Sequence, residues 1–346
     1  MPSGTGRRPC GRCARRGPTP PKSAANWAFP DRRRLANGRM TQGRAARTTA
    51  TLVLIAGAAA IAFAPILVRL TQTGPAAAGF WRLTLALPAL AVIAARTTTT
   101  TSSLGRPGAG LPPPSTMVLV AGVFFALDLG FWHYGIALTT VADATILANL
   151  SPIVVTLAAW LMLRERPAKA FLLGLALAMA GVWAIAAAKG GGGGPNPRLG
   201  DALSAATAIW YAIYMLIVRK ARADQGAWPI MLWSSAAGIP LLLAAAALLH
   251  ERIVPAGPAG WLACIGLAVV HVTGQGAIAW ALGRLPAATA SVVILVQPVL
   301  AALLGWLLFA EPMSVQQMAG GAAALAGVAL AQIAAAKAAR TADAGA

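Results

Sequence analysis

The stretch TILANLSPIVVTLAAWLMLRERP, residues 145–167, returns in altered wording as SVVILVQPVLAALLGWLLFAEP, residues 291–312. Each copy is an apolar run with a proline near its middle and a glutamate at its end. Setting Pro152 over Pro298, an offset of 146, also aligns Ala142 with Ala288, Ala144 with Ala290, Leu157 with Leu303, Trp160 with Trp306, Glu165 with Glu311, Gly174 with Gly320 and Gly181 with Gly327, without a gap. Alanine and glycine coincide easily in so apolar a chain, whereas proline, tryptophan and glutamate in one register do not. Earlier segments match at slightly different offsets: Trp81 with Trp233, Pro88 with Pro240, and Val68-Arg69 with Val218-Arg219.

The whole chain is built for a bilayer. Of its 346 residues, 58% are hydrophobic and only 11% charged, and the mean hydropathy is +0.69, too apolar for an ordinary soluble protein. About 20 apolar residues cross the hydrocarbon core as a helix. Ten such spans are expected, over residues 51–70, 76–95, 116–138, 142–163, 168–188, 199–218, 227–249, 259–282, 287–309 and 313–336. The short connections at 139–141, 164–167 and 310–312 force their neighbours to run antiparallel. The fold expected is therefore all-α and integral to the membrane, ten transmembrane helices arranged as two five-helix repeats. The first repeat covers residues 48–189 and the second 199–337, joined by a Gly-rich linker, residues 190–198, that opens with the glycines of KGGGGGP, residues 189–195. Five is odd, so the second repeat enters the membrane from the opposite side, the inverted arrangement on which alternating-access transporters are built. Pro152 and Pro298 each free a carbonyl in mid-span, which is tolerable where protein or a water-filled cavity satisfies it. Either proline alone could be a packing kink; their equivalence favours cavity lining.

A formal charge of +19 would suggest nucleic acid on a soluble surface, but its distribution says otherwise. Twelve of the 28 Lys and Arg residues precede Thr48, in a Pro-, Gly- and Arg-rich tail, residues 1–47, expected to be disordered. It lacks the apolar core of a signal peptide, and Met40 is an alternative natural start. Outside this tail, eleven basic residues fall in loops on the N-terminal side and four, Arg69, Lys189, Arg198 and Arg252, on the other. The positive-inside rule then puts both termini, and the short tail 338–346, in the cytoplasm of a cell whose inner or plasma membrane holds the chain. The charge is a topology signal with anionic lipid within reach of the tail, and no nucleic-acid partner is expected. Cys10 and Cys13 form a C-x-x-C pair with no second pair or histidine cluster to complete a metal site, and Cys264 reads as packing.

With these features, the chain resembles the drug/metabolite transporter superfamily and, within it, the ten-helix EamA-type permeases. The resemblance spans roughly residues 50 to 336. It rests on the ten-span plan, on FWRLTLALPAL at residues 80–90, and on the two proline-to-glutamate segments ending at Glu165 and Glu311. It implies a secondary transporter, commonly an exporter of amino acids, other metabolites or drug-like compounds, with a central cavity lined by both halves; it implies no particular substrate.

Ionisable residues inside spans are the candidates for transport chemistry, since a charge at mid-membrane costs on the order of 3 kcal/mol. Asp128 stands near the middle of span 3 and could bind a cationic substrate, take up a proton in a coupling cycle, or pair with Arg82. Arg82 lies at a similar depth in span 2, and an anionic substrate group is its other potential partner. The offset of 146 sets Gly274 opposite Asp128, with His271 and Gln275 one turn either side, so span 8 brings an imidazole and an amide to the same region, for proton relay or for interhelical bonding. Asn149 and Gln297, beside the two prolines, are interhelical glue or substrate contacts. Trp132 is four residues from Asp128, and Trp210 and Tyr214 are four apart, a spacing that would make an aromatic wall. His133 and Tyr134 lie nearer the span end, while Trp81 and Trp233 read as interfacial anchors and Glu165 and Glu311 as loop tethers. No P-loop, nucleophile motif or metal-ligand spacing is present, so no enzyme and no cofactor are expected. The partners expected are a small-molecule substrate and the bilayer, with proton coupling and a homodimer compatible with the pattern. A non-transporting receptor or scaffold, and a lipid-linked sugar flippase, are the alternatives on the same fold.

Overall fold

The computed structural model describes residues 32–101, 111–139, 144, 147–163, 167–188, 194–309 and 314–344. The described residues are helical with no strand, and an apolar helix occupies each of the ten expected spans. Seven helical stretches are long and apolar enough to cross a membrane, and three shorter ones are Ser151–Leu161, Lys169–Ile185 and Ala287–Ala301. These correspond to spans 4, 5 and 9. The linker residues 189–193, the glutamates Glu165 and Glu311, and Cys10 and Cys13 lie outside the described residues.

Span 1 comprises α1 (Arg32–Ile61) and α2 (Ala64–Leu70), separated by a turn at Ala62 and Phe63. The helix thus begins at Arg32, inside the segment expected to lack regular structure: the run from Arg32 to Arg47 contains no proline to stop it. Spans 2 and 3 are α3 (Pro75–Thr101) and α4 (Thr116–Leu138), the latter started by Ser115, whose side chain accepts from the Val118 N–H. Spans 4 and 5 are α5 (Ser151–Leu163) and α6 (Lys169–Ala187). In the second half, α7 (Pro197–Ala221) and α8 (Ala227–Leu248) are spans 6 and 7. Span 8 is α9 (Pro258–Val270), a π-helical turn (His271–Gln275) and α10 (Gly276–Leu282); span 9 is α11 (Ala287–Ile294) and α12 (Val296–Phe309); span 10 is α13 (Val315–Ala344).

The two prolines do what their missing N–H dictates. Span 4 is interrupted by a turn at Asn149 and Leu150, directly ahead of Pro152, and span 9 by a turn at Leu295, three residues ahead of Pro298. In both places helix resumes with the proline in its first turn, where an N–H would have no partner anyway.

Packing across the halves follows an exchange pattern: span 5 lies on span 10, span 2 on span 7 and span 4 on span 9, while spans 3 and 6 and spans 1 and 8 form two like pairs. One close seam joins spans 5 and 10. A Cβ on Gly174 would fall 2.8 Å from the Gly327 carbonyl oxygen, and one on Gly320 would fall 2.7 Å from that of Gly181. Only glycine lets two backbones approach this closely, as in small-residue seams of membrane helices. The contacts run antiparallel, Gly174 to Gly327 and Gly181 to Gly320, and spans 2 and 7 also oppose each other, Gly79 meeting Leu242 while Leu83 meets Gly238.

Candidate functional site

The bundle interior is polar where spans 2, 3, 7 and 8 converge. Arg82, on span 2, is 1% exposed, and its Nε has no hydrogen-bond partner. Asp128, on span 3, is also buried, and the two charges lie within electrostatic reach of one another and of the Tyr211 and Tyr214 hydroxyls on span 6. Among the described residues no ion pair within 4.0 Å joins Arg82 to Asp128. Opposite charges buried within reach of one another are each stabilised by the other without a direct bond.

Span 8 contributes His271 and Gln275, both ends of the π-helical turn and both buried. A π-bulge inserts one residue into the helical repeat and re-aims the side chains around it, and such bulges recur at functional sites. The His271 Nε2 is 2.9 Å from the Ser235 hydroxyl on span 7, and its ring stacks on Phe125 with centroids 5.3 Å apart. The opposite nitrogen, Nδ1, is buried with no partner, as is the Gln275 Oε1; the Gln275 amide lies beside the Tyr211 hydroxyl. Phe125 also packs on Tyr214 at 4.7 Å and Tyr211 on Tyr214 at 6.1 Å. One connected cluster therefore holds Asp128, Arg82, His271, Gln275, Tyr211 and Tyr214.

Other expected residues fall elsewhere. Trp210 contacts Phe124 and Phe131, both at 5.9 Å, so Trp210 and Tyr214 belong to two separate aromatic groups instead of one wall. The phenylalanines of span 3 recruit each ring separately. Trp132 packs on the small cluster of Ala64, Leu267 and Val270 between spans 1 and 8. Pro152 and Pro298 are buried and Asn149 and Gln297 half-buried beside their helix breaks.

His133 and Glu251 are held by long-range bonds. His133 is 1% exposed; its Nδ1 is 2.9 Å from the Pro75 carbonyl oxygen, which can only accept, so Nδ1 carries the proton and the buried, unpartnered Nε2 is left as an acceptor. Glu251, in the loop between spans 7 and 8, accepts from the Ala76 N–H at 3.1 Å and the Ala77 N–H at 2.9 Å and from the Tyr134 hydroxyl. A carboxylate at the free N–H groups of a helix start satisfies them and complements the helix dipole. At the opposite end of the bundle the charges reverse: Arg219 and Arg222 donate to the Leu282 and Ala279 carbonyls at 3.2 and 3.0 Å, the free acceptors at the end of span 8. Burial, and secondarily the neighbouring Arg284 guanidinium, depress the Arg222 guanidinium below its ordinary range.

The tryptophans aligned by the sequence are more than anchors. The Trp81 Nε1–H donates to the Ile253 carbonyl at 2.8 Å, and the Trp233 Nε1–H donates to the Pro112 carbonyl at 2.9 Å.

Residues 48–187 and 198–332 each match the EamA-like transporter family. An uncharacterized transporter of Archaeoglobus fulgidus is 28% identical over 221 residues, covering 63% of this chain and 77% of that protein. The pseudopaline exporter CntI of Pseudomonas aeruginosa is 29% identical over 205 residues, 59% of this chain and 70% of that protein. A crystal structure of a protein 20% identical in sequence superposes with a TM-score of 0.68, covering 83% of this chain and 98% of its own, a likeness of fold.

Proposed function

Because the chain belongs to the EamA-like transporter family, a membrane family of transporters and not of enzymes, we propose that it is a secondary transporter exporting small metabolites, amino acids or drug-like compounds by alternating access, with proton coupling through Asp128. The observation that carries this reading is the buried cluster where spans 2, 3, 7 and 8 converge. A buried polar atom with no hydrogen bond costs about 1–3 kcal/mol, and Arg82 Nε, His271 Nδ1 and Gln275 Oε1 are three such atoms near one intramembrane carboxylate. An apolar filling would be cheaper, so polar groups kept here without partners are best explained by a guest that supplies them.

The inverted repeat is supported by three features: the antiparallel glycine seam between equivalent spans 5 and 10, the helix breaks ahead of both Pro152 and Pro298, and the exchange pattern of packing. Rocking one half against the other about the cluster would expose it to each side in turn. The basic residues favour both termini in the cytoplasm of an inner or plasma membrane, which turns the Glu251 end outward and the Arg222 end inward. Export is favoured by the likeness to an exporter.

The test is efflux and uptake by the purified chain in liposomes, screening amino acids and cationic dyes with and without an imposed pH gradient. Flux that follows the gradient and vanishes in Asp128→Asn at normal membrane abundance supports the reading. Unchanged flux in that variant removes Asp128 as the coupling group, and no flux of any cargo favours a non-transporting role.

A further inference from the structure

Trp81 and Trp233 hold equivalent places in the two repeats, near the starts of spans 2 and 7. Each indole donates its hydrogen to a loop carbonyl of the other half: Trp81 to Ile253, between spans 7 and 8, and Trp233 to Pro112, between spans 2 and 3. Spans 2 and 7 are antiparallel, so the two bonds lie at opposite ends of the bundle. Neither bond is needed to form either helix, and both cross between the halves.

We propose that Trp81 and Trp233 are paired gate residues: each indole clamps one end of the molecule shut, and release of one at a time opens that end during transport. The proposal rests on the alternating-access reading and adds to it which contacts must break. A transporter needs a reversible seal at each end, and a seal that must open is better made of a few directional bonds than of packed surface, since loss of one such bond shifts a two-state equilibrium by a few-fold without unfolding either half.

The two seals are not equal. At the Trp81 end the indole also packs edge-on against Trp261, ring centroids 4.7 Å apart. There Glu251 ties the same loop to the start of span 2 and to Tyr134, and the Gly74 N–H donates to the Arg252 carbonyl at 3.0 Å. His250 takes a left-handed φ of 51°, a conformation unusual for a residue with a Cβ, and so turns the chain to deliver Glu251. The stretch around Pro112, LPPPST, has no acidic residue. Removing the Trp233 bond alone should therefore open its end more than removing the Trp81 bond alone opens the other.

The experiment reads both ends of the full chain in lipid nanodiscs, with the three native cysteines replaced. Nitroxide pairs at Ala137 and Val254 report the Trp81 end, and pairs at Pro114 and Asp224 the Trp233 end, by pulsed electron resonance. Phenylalanine keeps a ring and loses the indole N–H, so Trp233→Phe should shift the Pro114–Asp224 pair about three- to tenfold toward a longer distance, the size expected for one interhelical bond. Trp81→Phe should shift the Ala137–Val254 pair less, and Trp81→Phe with Glu251→Gln should shift it at least as far as Trp233→Phe shifts its own. Glu251→Gln alone gives a second route to the same end if Trp81→Phe is poorly folded. Distances that stay unchanged in monodisperse variants, or variants that loosen both ends at once, overturn the gate assignment. The alternating-access reading fails separately, if the two pairs in the wild-type chain never move in opposition under any pH or cargo while the clamp variants still respond.

Discussion

Spans 5 and 10 touch through glycine backbones, whereas spans 2, 3, 7 and 8, which also approach at Gly122 and Gly238, enclose a buried arginine, a carboxylate, two histidines and a serine. Both contacts join one half of the molecule to the other. The first is closed, at Gly174, Gly181, Gly320 and Gly327, to any side chain larger than hydrogen; the second leaves buried nitrogens and an amide oxygen without partners. A seam made of close backbone approach has one good geometry and resists sliding. A seam made of unsatisfied polar groups gains when something enters or when its groups re-pair, so it is suited to two arrangements. The contrast assigns the glycine seam to holding the halves together and the polar seam to working between them.

The largest effect that would sharpen this contrast is in Asp128→Asn. Truncating one partner of a buried charged contact costs about 2–5 kcal/mol, much of it the penalty of leaving the other charge buried and uncompensated, so cargo flux should fall at least tenfold and the melting temperature in detergent should fall as well, with Arg82 left without its counter-charge. Gly181→Leu should lower stability alone. Its side chain would drive into the span 10 backbone, and overpacking of this kind costs about 1–3 kcal/mol, read as a lower melting temperature and reduced membrane abundance with flux per folded molecule largely kept. Ser235→Ala should be milder, about 0.6 kcal/mol for one interhelical hydrogen bond; the informative readout is the pH profile of flux, which moves if His271 relays protons and stays fixed if the bond is a strut. Trp160→Ala is the control: that ring is 48% exposed on the bundle surface, and its loss should change flux by less than twofold. Flux per folded molecule that is lost in Gly181→Leu but kept in Asp128→Asn would reverse the assignment of the two seams.

Much of this was legible from residue types. Spans 3, 7 and 8 end within a residue or two of the expected boundaries, because apolar length and Pro or Gly punctuation are local signals. The breaks before Pro152 and Pro298 follow from a missing N–H, which is local too. Gly174, Gly181, Gly320 and Gly327 were visible as a repeat, though not as a seam, since nothing in a glycine tells which helix approaches it. Asp128, Arg82, His271 and Gln275 stand out in the sequence because ionisable and amide groups are conspicuous in an apolar span. The π-helical turn at His271–Gln275 was hidden: one inserted residue changes the helical phase without changing composition. The tethers of Glu251, Trp81 and Trp233 were hidden for another reason, because they join residues more than 100 positions apart in the chain. Trp210 and Tyr214 failed as a wall because spacing along one helix ignores the phenylalanines on the next.

The most direct test of the central claim is proton-linked flux in liposomes containing the purified chain, wild type beside Asp128→Asn, with the melting temperature of both recorded. The account predicts flux that follows the pH gradient in the wild type and is lost, per folded molecule, in the variant. Gradient-driven flux that survives Asp128→Asn unchanged would contradict it.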